Sequence, residues 1–140
     1  MLYGDMGNGR RVLLTGDAGV RALSWARDYA ISRQFPLQQF TFVQIPHHGS
    51  RRNVGPTILN ELLGPIQLQG SPSRFAAFVS APKEDDQHPR KIVTNAFMRR
   101  GGRVIATQGI AKCHRAGFPP RSGYSDAVPM EFASKVEAYD

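Results

Sequence analysis

A chain of 140 residues, 41% hydrophobic and 21% charged, is long enough to bury a core and has globular rather than disordered composition. Its formal charge of +7 favours polyanionic partners or phosphorylated substrates without bearing on fold. The lone cysteine, Cys113, rules out an intrachain disulfide, no apolar run approaches the ~18 residues of a membrane span, and the start MLYGDMGNGRR lacks a signal pattern, so a cytoplasmic chain is expected.

In chain order, the turn signal Asn8-Gly9 feeds a strand over 10–15 with a continuous apolar centre. Little ahead of that turn offers a pairing partner, so an N-terminal portion is expected to be missing, or the start to be placed late. Gly16-Asp17-Ala18-Gly19 breaks the strand. Val20, Leu23, Ala26, Tyr29 and Ala30 then recur at helical spacing over 20–33, which makes Trp25 and Tyr29 expected core residues rather than a stacking platform. Phe35-Pro36 ends that helix. The alternating, β-branched and aromatic run over 39–45 predicts a second strand. It leads into HHGSRRNVG and a short helix over 56–63 with proline in its first turn.

A turn-rich connection over 64–73 precedes the strand RFAAFVS at 74–80 and the polar loop APKEDDQ. His88-Pro89 is expected to open a helix running to about residue 100, closed by Gly101-Gly102, before a strand at 103–107. Residues 1–110 thus read β-α-β-α-β-α-β, an α/β architecture with helices packed on a sheet. Residues 111–140 read as a loop-rich extension of the same domain, with 128–136 open between a short helix and an edge strand.

In such sheets the chemistry gathers at the C-terminal ends of strands. The candidate residues fall there: Asp17 after the first strand, His47 and His48 after the second, His88 in the loop after the third. Asp17 has two readings, a cap for the following helix or a metal-bridging carboxylate. His47 and His48 follow the stiff Pro46, and a neutral imidazole is the commonest nitrogen ligand for zinc-like ions. Adjacent residues project in different directions, so one of the two ligates while the other supports it or meets substrate; the alternative is a polar turn with one ring bonded to backbone. His88 reads either as a solvent-facing residue at a helix start or as a catalytic donor to an anionic substrate, aided by the helix dipole. Ser80 offers a hydroxyl, and Arg51 and Arg52 offer phosphate contacts. Cys113-His114 lacks a matching pair elsewhere and is not expected to bind zinc.

Taken in order, VLLTGD, a helix, a strand ending in HHGS, a further strand, HP opening a helix and a last strand resemble the C-terminal half of the metallo-β-lactamase superfamily. The likeness is greatest to the hydrolase domain of ComEC-type DNA-uptake proteins and spans about residues 10–109. It implies half of an αββα sandwich. It implies that Asp17 bridges metals, that a histidine of the His47-His48 pair, His47 by preference, is the last ligand, and that His88 stands near substrate. It further implies a divalent metal, zinc or manganese, whose bound hydroxide attacks a phosphodiester or other ester. The superfamily's HxHxDH motif and the histidine that follows it are absent from this chain, and Gln108 stands where TD often continues. The expected function is therefore a phosphodiester-directed metallo-hydrolase lacking half its site, with self-association or a separate N-terminal half supplying the rest. The alternative is a non-catalytic basic module that binds nucleic acid or a protein partner.

Overall fold

The computed structural model describes residues 1–115, 117–124 and 126–138. Among them a five-stranded mixed sheet is laid down in sequence order. Strand β1 (Leu2–Asp5) pairs antiparallel with β2 (Arg11–Leu14), while β3 (Phe42–Gln44), β4 (Phe75–Val79) and β5 (Gly102–Ala106) follow in parallel. Helices α1 (Val20–Ser32), α2 (Pro56–Leu63) and α3 (Lys91–Met98) make the crossovers that parallel strands require.

The first correction concerns the N-terminus. A partner for β2 does precede the turn: Leu2 to Asp5 register against Leu14 to Arg11. Asp5 accepts a hydrogen bond from the Gly7 amide at 2.8 Å and pairs with Arg11 at 3.2 Å, closing the hairpin on both sides of Asn8-Gly9. The element order is therefore β-β-α-β-α-β-α-β. Short, half-polar β1 carried too little apolar signal to be read as a strand.

Register explains the layers. Leu13, Val43, Ala77 and Val104 lie opposite one another across β2 to β5 and are all buried. They share one core with Leu23 of α1, four residues of α2 and Val93 and Phe97 of α3, so all three helices cover the same face of the sheet. Alternate residues point to the other face. There the Phe42 and Phe78 rings lie 5.2 Å apart in a tilted pair, and the His114 ring lies 5.1 Å from Phe42. Burial lowers the His114 imidazole below its ordinary value, and the Arg103 charge lowers it further.

Trp25 and Tyr29 are the second correction: they are 61% and 56% exposed. Helix α1 buries Leu23 and Ala30. At ~100° per residue Trp25 and Tyr29 sit roughly 200° and 240° around the axis from Leu23, on the opposite side. Their faces are covered by Arg21 and Arg33 instead, at 4.7 and 5.4 Å.

The third helix starts later than expected. His88-Pro89 belongs to a polar turn in which Asp85 accepts from the Gln87 and His88 amides at 2.9 and 3.0 Å, and α3 begins at Lys91. The first amides of α3 are taken by the chain's own Glu137, whose carboxylate accepts from Lys91 at 2.8 Å and Ile92 at 3.1 Å. The dipole behind His88 is thus already answered.

Residues 128–136 form neither helix nor strand. They make a strap whose Met130 amide donates to the Val104 carbonyl at 2.8 Å and whose Ala133 is gripped from both sides by the Asn95 amide group. No described helix is long and apolar enough to cross a membrane.

Candidate functional site

Three loops converge at the C-terminal end of the parallel strands. The loop after β2 is fixed by Gln44, whose Oε1 accepts from the Thr15 and Gly16 amides at 3.1 and 3.0 Å, while the Thr15 hydroxyl donates to the Gln44 carbonyl. From the other side Asn53 donates to the carbonyls of Asp17 and Ala18 at 3.2 and 3.3 Å. Asp17 does not cap α1: Gly19 is the cap, with no side-chain hydrogen bond. Its carboxylate is left 75% exposed and faces His47.

The loop after β3 turns sharply. His47, His48 and Gly49 have φ of 45°, 55° and 82°, three successive residues in the left-handed region. For a residue other than glycine this conformation costs about 1–3 kcal/mol. What holds it is packing beneath and a hydrogen bond on each flank: the His47 amide donates to Gly16 at 3.0 Å and the Arg90 amide donates to Gly49 at 3.2 Å. Gly49 lies so close to the next loop that a Cβ there would stand 2.6 Å from Pro89 Cβ. Strain held by the surrounding structure is characteristic of functional turns.

The turn leaves the two imidazole rings 5.7 Å apart, tilted by 52°, and gives them different partners. His47 Nδ1 comes to 3.5 Å from Asp17 Oδ1, and its side chain is 47% exposed. His48 Nδ1 meets the Ser80 carbonyl at 2.5 Å, tying the loops after β3 and β4 together. His88 is a loop further on, its Nδ1 3.0 Å from Asp85 Oδ2. Partial burial pushes the Asp85 carboxyl up, but the Gln87 amide and the His88 ring and amide together hold it below its ordinary value. The structure therefore brings together Asp17 and His47, and gives His48 and His88 other partners.

The Asp17–His47 spacing has chemical meaning. Ligands at roughly 2.1 Å from a tetrahedral zinc ion stand about 3.4 Å apart. An N–H···O bond between the same atoms has a shorter mode, about 2.9–3.0 Å. The 3.5 Å separation is met by two donors on one ion and equally by an ordinary histidine–carboxylate ion pair. The pair does not complete a metal site: among the described residues no group of three or more His, Cys, Asp or Glu is placed to hold an ion, and a catalytic zinc takes at least three protein ligands. Cys113 and His114 lie elsewhere, Cys113 bridged to Asp126 and His114 on the aromatic face. Arg51 donates to the Ala138 carbonyl at 3.2 Å, and Arg52 borders a cleft on the helical side.

Sequence reasoning missed the residues that set this geometry. Gln44 has one legible signal, a polar side chain at the end of an alternating strand. Asp85 has another, the acidic run three residues ahead of His88. Asn53 has none, since only the fold brings it back to the loop after β2. No protein-family model, curated protein or solved structure matches this chain.

Proposed function

We propose that this chain carries part of a metal-dependent hydrolase centre of metallo-β-lactamase type, directed at phosphodiesters, with Asp17 and His47 as its two metal donors. The observation that carries the reading is the 3.5 Å separation of Asp17 Oδ1 and His47 Nδ1, held by loops from adjacent parallel strands. Support also comes from a single helical layer on one face of the sheet, which is what half of an αββα sandwich requires. The phosphodiester preference rests on the resemblance and on the basic charge. His48 would position the loop after β4 through Ser80, and His88, oriented by Asp85, would face the substrate. The remaining ligands would come from a second copy or another polypeptide, so no reaction step is assigned to this chain alone.

The test is hydrolysis of bis(4-nitrophenyl) phosphate with added manganese or zinc over a range of chain concentrations. The expected result is metal-dependent turnover that rises more steeply than linearly with chain concentration and is lost in Asp17→Ala and His47→Ala. Turnover that ignores both substitutions contradicts the proposal, and none at any concentration excludes a second copy as the source of the remaining ligands. A second reading is favoured by the +7 charge and the two-donor set: a module that binds nucleic acid without cleaving it. Salt-sensitive DNA affinity with no hydrolysis would select it.

A further inference from the structure

A cleft of about 760 Å³ opens between α2, α3, the strap and the end of the loop after β3, where Arg51 and Arg52 line it. Its floor is apolar, built from Val54, Leu59, Val93 and Ala96, and Arg52, Arg99 and Arg100 also line it. Arg100 is 2% exposed. Its guanidinium donates to Asn60 Oδ1 at 3.0 and 2.6 Å, to the Ala96 carbonyl at 2.8 Å and to the Pro56 carbonyl at 3.4 Å. Every one of these acceptors is neutral, and among the described residues no carboxylate pairs with it. Burial lowers its proton affinity, and the like charge of Arg99 lowers it further.

A buried cation normally sits beside an anion, because desolvation costs several kcal/mol that neutral acceptors only partly return. Here the neighbouring charges add to the deficit instead of relieving it. Arg99 rests over the Phe132 ring at 5.4 Å, and Arg52 is exposed. Glu137, just beyond the strap and next to the lining residue Val136, is committed to the amides of α3. The cleft has the volume of a small-molecule site, lined by apolar side chains together with arginines.

We propose that this cleft binds a small amphipathic anion: a hydrocarbon or aromatic body on Val54, Leu59 and Val93, and a carboxylate or phosphate head between Arg52 and Arg99, above the buried charge of Arg100. The site is independent of Asp17 and His47 and needs no metal. Its occupant neutralises a cluster that the described residues leave positive, which is why the head is expected to be anionic. The apolar floor is why a free inorganic ion does not suffice.

The experiment is calorimetric titration of the intact chain with decyl phosphate, decanoate, decyltrimethylammonium and inorganic phosphate, all below micelle-forming concentrations. One of the two anionic amphiphiles should saturate a single site at least about tenfold more tightly than the cationic amphiphile or inorganic phosphate, and the tighter of the two identifies the head group. Arg52→Ala/Arg99→Ala should weaken that binding about tenfold or more, with unchanged circular dichroism because both side chains are exposed. Ile66→Glu, which places a carboxylate on the exposed rim, should weaken it too. Equal binding of the cationic amphiphile, full affinity in the double variant, or no saturable binding overturns the proposal.

Discussion

At the scale of single residues, the turn His47-His48-Gly49 decides where the two imidazole rings lie. A left-handed backbone at both histidines aims one ring at Asp17 and the other at Ser80, and the room for that turn depends on Gly49 lacking a side chain. Gly49→Ala combines a φ of 82° with a Cβ 2.6 Å from Pro89 Cβ. It should destabilise the fold by about 2–4 kcal/mol in urea unfolding and disturb the His48–Ser80 contact. An unchanged midpoint would mean that the loops after β3 and β4 are not packed as described. The residues of this candidate site were half legible in the sequence: Asp17 and the histidines stand out because their side chains are of metal-ligating type. Asn53 and Gln44 do not, because a side-chain amide reaching a distant carbonyl or amide leaves no local pattern.

At the scale of elements, periodicity carried part of the reading. Alternation over 39–45 gave β3 and helical spacing gave α1, while β2 was read from its continuous apolar centre, α2 from a first-turn proline and α3 from the flanking His-Pro and Gly-Gly pairs. What failed was local information against tertiary geometry. Trp25 and Tyr29 are apolar at helical spacing, yet the stripe through Leu23 and Ala30 is the one that faces the sheet. The strap has no periodicity, since its backbone bonds to β5 and α3 one residue at a time. Glu137, its anchor, makes a pH-dependent contribution. Burial alone would push its carboxyl up, but the Lys91 amide, its own amide, the Ile92 amide and the Arg90 charge hold it below the ordinary value. A carboxyl depressed in the folded state stabilises above its unfolded value of about 4.3 and loses that contribution as pH falls through the folded value. Glu137→Gln should therefore cost about 0.5–1 kcal/mol near neutral pH, measured by thermal or urea unfolding. The difference from wild type should shrink as pH falls from about 5 toward 3. A difference constant across that range would remove the ionised cap from the account.

At the scale of the whole molecule, the sheet is covered by helices on one face and only partly by the tail on the other. Leu2 and Leu14 are paired in register on that second face and are 60% and 37% exposed. Exposed apolar surface of this kind seeks a partner. Sedimentation velocity should show concentration-dependent association, weakened by Leu14→Lys, whereas a monodisperse monomer across the range would contradict it. The α/β class was legible in the alternation of strands and helices. The extra antiparallel strand was not, because four residues beside a turn are too few to show a period.

The central claim is that Asp17 and His47 share an ion, and manganese titration followed by nuclear magnetic resonance tests it most directly. Paramagnetic broadening should begin at Asp17 and His47 and their immediate neighbours, and should be lost there in Asp17→Ala. Broadening that begins instead at the acidic loop Glu84-Asp85-Asp86, or that is unchanged by Asp17→Ala, would contradict it.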